Sequence, residues 1–162
     1  MAVINMKYLY HEISVNANVN EVFNTWVTKE GLESFFAPKC SVDPKIDGLF
    51  EILFDLDAEP GSRGAENQRV MAFEKDKMIS FSWNNPPAFP EIQMQRTLVT
   101  LKFHSLGTGR TLIQFCQTGW GDGQHWDKAL EYFNKAWKKV VFPRLEWRFE
   151  NGPIDWSNPP KF

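Results

Sequence analysis

Three histidines, two cysteines, a glycine cluster and a group of carboxylates are the residues of this chain whose types could do chemistry. His11, His104 and His125 stand far apart, without the short spacing that puts two imidazoles on one metal, so no metal site is expected. Cys40 and Cys116 form neither a CxxC pair nor a disulfide framework. Both read as small structural thiols of a reducing compartment, Cys40 being the more exposed because it follows Pro38. Gly119-Trp120-Gly121-Asp122-Gly123 resembles a phosphate-cradling loop, but its spacing is GxGxG rather than GxGxxG. It reads instead as a flexible entry to a helix, whose N-terminus could still hold an anion. Asp55, Asp57 and Glu59 lie beside Pro60 and Gly61 and read as solvated. Glu66, Arg69 and His125 remain as a set for acid–base work, which requires burial or a perturbing neighbour. The sequence assigns no catalytic residue and implies no cofactor.

The unusual feature is aromatic. Fourteen Phe, seven Trp and three Tyr occur in 162 residues. Side chains of that bulk fill a core or line a concave pocket. Hydrophobic residues make up 43% and charged ones 23%, the balance of a folded globular chain rather than a disordered one. A net charge of -2 argues against a general nucleic-acid binder, which presents a basic face. No window reaches 18 apolar residues and no signal-peptide pattern opens the chain, so a cytoplasmic protein without a membrane span is expected.

The elements that must position these side chains follow from periodicity. Lys7 to Val15 alternates and reads as a strand. Asn18 with Glu21 resembles a capping box, after which Val19, Val22, Phe23, Trp26 and Val27 recur at helical spacing. Thr28 caps a second short helix carrying Leu32, Phe35 and Phe36, which Pro38 stops. From Gly48 the period becomes two. Phe50, Ile52, Phe54 and Leu56 share one face, followed by strands at 68–74, 78–83, 97–104 and 110–118 joined by turns. Such a meander is apolar on one side and needs a cover. Trp126, Leu130, Phe133, Trp137, Val140 and Val141 supply it, on a helix from about Gly123 to Glu150 that would be roughly 40 Å long. Asp122 is its expected cap, Asn151-Gly152-Pro153 its stop, and Pro143 should kink it or split it.

This order resembles the START-like helix-grip superfamily (SRPBCC), and within it the branch named after activators of the heat-shock protein 90 ATPase. The motifs that carry the resemblance are Asn20 to Trp26 with Glu30-Gly31-Leu32 and Phe35-Phe36, then Gly48-Leu49-Phe50, Ile79 to Trp83 and Val99-Thr100-Leu101. Gly109 to Leu112, Gly119-Trp120, and the Trp137-to-Leu145 helix ending in Glu150-Asn151-Gly152 complete it. The match runs over about residues 7–153. It implies an α+β fold, a curved antiparallel sheet of six to seven strands wrapped around a long C-terminal helix, with two short helices after the first strand. Residues 1–152 are expected to form one such domain and 153–162 a tail, with Trp156 and Phe162, that folds back or docks on a partner.

The resemblance further implies a cavity between sheet and long helix. Phe54, Trp83, Phe115, Trp120, Phe133 and Trp137 are the expected walls, with Phe36 near the mouth and Met71 as an adaptable wall. Arg69, Gln117 and His125 are the expected polar groups. The loops at 57–67 and 84–95 flank that cavity in the family and are individual to this chain. The leading expectation is non-catalytic binding of a small hydrophobic or amphipathic ligand. One alternative is a protein-interaction module like the chaperone activators, partnered by a chaperone or by itself, although the additional N-terminal domain of full activators is not expected here. Another is an enzyme acting on a hydrophobic substrate. A filled core with only a small void remains open beside all three.

Overall fold

The computed structural model describes residues 6–162. Its strands are β1 (Leu9–Val15), β2 (Lys39–Val42), β3 (Leu49–Leu53), β4 (Gly64–Glu74), β5 (Met78–Asn84), β6 (Arg96–Ser105) and β7 (Thr111–Thr118). They form one curved antiparallel sheet in the order β1-β7-β6-β5-β4-β3-β2. Helices α1 (Val19–Val27) and α2 (Lys29–Glu33) follow β1. After β7 come α3 (Gln124–Ala136), a π-helical turn over Trp137–Val141, and α4 (Phe142–Asn151). The helix-grip arrangement expected from the sequence is therefore the observed one, with seven strands.

The alternation of the strands accounts for the concave face. Phe50 and Ile52, then Ile79, Phe81 and Trp83, then Val99 and Leu101, then Ile113 and Phe115 are all buried. Phe54 and Leu56 depart from the expected face, because β3 ends at Leu53 and both lie exposed beyond it. The capping box at Asn18 is not made: its side chain caps nothing. Thr28 does cap α2, its Oγ1 accepting from Gly31 N at 3.1 Å. Cys40 is buried within β2 rather than exposed.

The long helix differs from the expected one at both ends of its first half. Gly123, with φ of 102°, holds the cap position, and Asp122 instead sits 3.4 Å from Lys7, which also pairs with Asp127 at 2.8 Å. Of the two outcomes expected at Pro143, splitting is the one observed, with α3 and α4 on either side of the π-helical turn. The hydrogen-bond register slips before Pro143, so that Phe142 N–H donates to Trp137 O, five residues back. Pro143 thus enters at the start of α4, where it owes no hydrogen bond.

The core between helix and sheet is a continuous stack of rings. Phe50 and Phe81 stack at 4.0 Å, and Trp26 meets Phe35, Phe36 and Phe81 at 5.0–6.4 Å. Trp137 touches Phe115 at 4.6 Å and Trp83 at 5.5 Å. A smaller cluster of Ile92, Trp126 and Ala129 fastens the 85–95 loop to α3. The tail folds back: Ile154 N donates to Ser34 O at 2.9 Å, and Trp156 Nε1 to Glu33 O at 2.6 Å under the Arg144 guanidinium.

His11 of β1 lies 5.8 Å from Phe115 and 5.7 Å from Phe142. Burial holds its imidazole below the usual 6.5, with Asn134 opposing and the Lys138 charge adding to the depression. The folded protein then binds that proton less readily than the unfolded chain. The contribution is fully present above about pH 6.5 and is lost as pH falls below it toward the lowered folded value. Urea titrations at pH 7.5 and 5.5 should therefore show a larger loss of stability in the native protein than in His11→Phe, which keeps the packing but cannot titrate.

Candidate functional site

The helix does not meet the sheet along its whole length. Beside α3 an open slot of about 240 Å³ remains. Phe54 and Trp83 form its sheet-side wall and Tyr132 and Phe133 its helix-side wall. Phe54 is there because the chain leaves β3 at Leu53 and is drawn back by Arg63, whose carbonyl accepts from Phe54 N at 2.8 Å. Tyr132 and Phe133 are neighbours on α3 with rings 5.2 Å apart; Phe133 is buried and Tyr132 is 47% exposed. Below the slot lies a separate void of about 60 Å³ bounded by Phe36, Phe54, Trp83, Phe133, Ala136 and Trp137. Slot and void share both walls. Together they approach the lower end of the roughly 300–1,000 Å³ typical of small-ligand sites.

The rim is polar and built from two loops. The β3–β4 loop brings Arg63, whose Nε is held by Ala58 O at 2.9 Å, and Asp55, whose Oδ1 accepts from the Asp57 and Ala58 N–H groups at 3.1 and 3.2 Å. The end of β5 brings Asn84 and the β5–β6 loop Asn85. Gln93 Nε2 donates across the loops to Gly61 O at 2.7 Å, and at their base Asn84 Nδ2 of β5 donates to Gly64 O of β4 at 3.2 Å. The pair of loops therefore acts as one frame around the mouth. Apolar walls with a few polar groups at the opening can hold a flat, largely apolar molecule.

The structure brings together five of the expected residues, Phe36, Phe54, Trp83, Phe133 and Trp137, around the void. Phe115 stands behind Trp137 in the filled core. Trp120 packs on Phe133 at 5.9 Å from outside the slot, its Nε1 donating to Gln117 O at 2.9 Å. Gln117 is fully buried and fully used: its Oε1 accepts from Trp137 Nε1 at 2.9 Å and its Nε2 donates to Thr97 Oγ1 at 2.8 Å.

Three expected residues are elsewhere. On β4 the inward side chains are Gln68 and Val70, so Arg69 faces outward, bonding Asn67 Oδ1 at 2.8 Å and Asp47 O at 3.4 Å. The β4–β5 register shifts between Val70 and Ala72, which leaves Met71 on a bulge, 51% exposed. His125 is exposed at the start of α3, 3.4 Å from Glu91. Glu66 engages Arg63 N at 3.3 Å, so Glu66, Arg69 and His125 each have separate partners. Burial pushes the Cys40 thiol up to about 12 and raises that of Cys116, which keeps both protonated at neutral pH. The glycine cluster is structural: a Cβ at Gly121 would collide with the Trp126 indole, and Gly119 and Gly123 have φ of 85° and 102°. Among the described residues no three His, Cys, Asp or Glu side chains are placed to hold a metal. No helix among them is long and apolar enough to cross a membrane.

Tyr132, Ala136, Arg63 and Asn85 escaped the sequence reading. Tyr132 and Ala136 sit one turn apart on α3 facing the sheet, a position that helical spacing from Phe133 to Trp137 could have indicated. The two asparagines follow Trp83 directly and precede Pro86-Pro87. A broader depression of about 530 Å³ lies by the β4–β5 turn, but Glu74, Asp76, Lys77, Lys102 and His104 line it, so it offers a solvated charged surface.

The model of the family described as "Activator of Hsp90 ATPase homolog 1-like protein" matches residues 16–150, and the chain belongs to that family. No curated protein matches it. Among solved structures it is similar to a protein from Mesorhizobium loti, with TM-score 0.71 and 19% identity over 91% of this chain and 100% of that one. It is also similar to the Aha1 dimer from Colwellia psychrerythraea, with TM-score 0.68 and 17% identity over 91% and 98% of the two chains. A structure described as an HSP90 activator from Plasmodium falciparum gives TM-score 0.65 and 16% identity over 86% and 93%.

Replacing Gln117 tests how the walls are held. Gln117→Leu keeps much of the volume but leaves the Trp137 indole N–H buried without an acceptor, which costs about 1–3 kcal/mol. The expected result is a melting temperature lower by roughly 2–10 °C, with a changed tryptophan emission. An unchanged melt would mean that the ring contacts alone hold Trp137.

Proposed function

We propose that this member of the family binds a small, flat, largely apolar molecule, without catalysis, in the slot between α3 and the β3–β4 and β5–β6 loops. The observation that supports this reading is the double wall. Phe54 and Trp83 come from the sheet side and Tyr132 and Phe133 from the helix, and the space between them stays open while the rings around Trp26 and Phe81 pack closely. An incompletely closed aromatic slot leaves apolar surface wet, and a ligand would remove it from water at about 25 cal/mol per Å². Flat ligands suit such walls, since offset stacking on either face adds about 0.5–1.5 kcal/mol beyond burial.

A second reading rests on the family's own description and on the Plasmodium falciparum relative described as an HSP90 activator. In it the outer surface contacts a chaperone or a second copy, as the Colwellia psychrerythraea relative is described as a dimer, and the slot is incidental. The readings separate on one variant. Ala136 bounds the void, and Ala136→Leu fills it from the helix side.

Native mass spectrometry of the purified protein, followed by a thermal-shift screen of fatty acids, bicyclic aromatics and aromatic metabolites, tests the first reading. A ligand at about 100 times its dissociation constant adds about 2.7 kcal/mol, or roughly 5–10 °C here. The expected outcome is a shift of that size with bicyclic aromatics, reduced at least tenfold in affinity by Ala136→Leu and by Tyr132→Ala, which alters an exposed ring and leaves the core intact. A flat screen together with stimulation of a chaperone ATPase that survives Ala136→Leu would replace the first reading by the second.

A further inference from the structure

The mouth of the slot is apolar on the outside as well as within. Phe54 and Leu56, which leave β3 for the β3–β4 loop, are 43% and 46% exposed, and Tyr132 across the slot is 47% exposed. Met94 on the β5–β6 loop, 83% exposed, adjoins Gln93, whose side chain is fastened to Gly61 of the other loop. Phe89 stands 6.1 Å from Tyr132. Single exposed apolar residues are ordinary, but a group of them around one opening marks a contact surface.

Charge is divided across this mouth. On the loop side Asp55, Asp57 and Glu59 are exposed, and none forms an ion pair among the described residues. Arg63, the one cation of segment 54–63, is turned onto Ala58 O through its Nε. On the helix side Lys128 and Lys135 stand one turn to either side of Tyr132, both exposed. Lys135 is met by Glu131 at 3.0 Å, while Lys128, and Lys139 further along, have no carboxylate partner among the described residues. No ion pair joins the two sides, although both border the same slot. Each copy therefore carries an acidic loop and a basic helix face with an apolar strip between them.

Such a surface fits a second copy of itself. A two-fold axis lying in the contact plane and running along the slot brings the loop side of each copy over the helix side of the other, so both signs are met twice. An axis across the slot would set like charges together. An anionic lipid surface is a poorer match, because it would attract the lysines and repel the three carboxylates opposite them. We infer that the chain forms a two-fold dimer through the slot face, with Asp57 and Glu59 of each copy meeting Lys128 and Lys135 of the other and the partner closing the mouth. This goes beyond both readings above by placing the second copy over the slot itself, and it holds with the slot empty or filled. Exposed ion pairs contribute little each, so the apolar strip supplies the attraction and the charges fix the direction.

Sedimentation velocity on the full chain, over a concentration series in low salt, reads the association. The native chain should show a monomer–dimer equilibrium that weakens as added salt screens the charges. Asp57→Lys with Glu59→Lys, and separately Lys128→Glu with Lys135→Glu, should each raise the dimer dissociation constant at least tenfold, about 1.4 kcal/mol. All four side chains are exposed, so neither variant disturbs the core. Mixed in equal amounts, the two variants should associate with each other, since one is then basic on both sides of the slot and the other acidic on both. A general loss of fold gives no such recovery. A native chain that stays monomeric at high micromolar concentration overturns the inference, and so does a dimer indifferent to both reversals. A native dimer whose two variants do not recover on mixing overturns the crossed arrangement. A monomeric native chain that binds vesicles of phosphatidylserine and phosphatidylcholine overturns it in favour of a membrane surface. None of these outcomes bears on the ligand reading, which the screen above tests on its own.

Discussion

The hydrogen bond from Trp137 Nε1 to Gln117 Oε1 determines where the long helix lies on the sheet. The rings of Phe36, Trp83, Phe115 and Phe142 supply most of the attraction on Trp137, but apolar burial has no direction and by itself leaves the heading of the indole N–H free. The amide of Gln117 removes that freedom. It passes the constraint on, since Gln117 Nε2 donates to Thr97 Oγ1 and Thr97 Oγ1 to Trp83 O. One chain of satisfied buried bonds thus joins the helix to β7, β6 and β5. Both tryptophans that bound the void, Trp83 and Trp137, are attached to it. Shifting either would strand a buried donor or acceptor.

The π-helical turn begins at that same tryptophan. Its extra residue arises from Pro143, whose ring and missing N–H forbid an ordinary helical register four residues earlier. The slip lets Phe142 and Leu145 enter the core beyond the turn, where they are 3% and 0% exposed. Before the turn, α3 buries only Trp126, Ala129 and Phe133, and two of these pack on the 85–95 loop rather than on the sheet. The interface is therefore filled on the α4 side and incomplete on the α3 side. The slot lies where the helix is supported by a loop instead of by strands.

Much of this was legible in the residues. Strong alternation at 79–83, 97–103 and 111–117 assigned the concave face correctly, because each of those segments pairs bulky apolar side chains with polar ones. Gln68-Arg69-Val70-Met71 offers weak contrast; an extra residue of β4 between Ala65 and Gln68 shifts the phase ahead of Arg69 and a second irregularity falls at Met71, so neither side chain faces inward. Gln117 was expected on the inner face for a ligand. Its position was right, and its partner is the protein itself. The glycine cluster shows the same limit, for Gly121 answers to the bulk of Trp126 three-dimensionally, which no spacing reveals. Asn85 and Arg63 lie in loops whose side-chain directions depend on bonds to other loops, and no periodicity reaches them.

High aromatic content does not by itself make a cavity. Here it does the opposite over most of the interior, where rings 4.0–6.4 Å apart leave no room for a guest. Space between helix and sheet survives where a small residue, Ala136, faces the sheet and where two loops stand in for a strand. The core and the site are thus built from different parts of the chain and can change separately. Substitution at Phe81, Leu101 or Phe115 strikes the packing that every element shares. Substitution in 54–63 or 85–95 alters the rim while the hydrogen-bonded chain through Gln117 stays in place. The rim loops can therefore change the shape of the slot without rebuilding the core that positions Trp83 and Trp137.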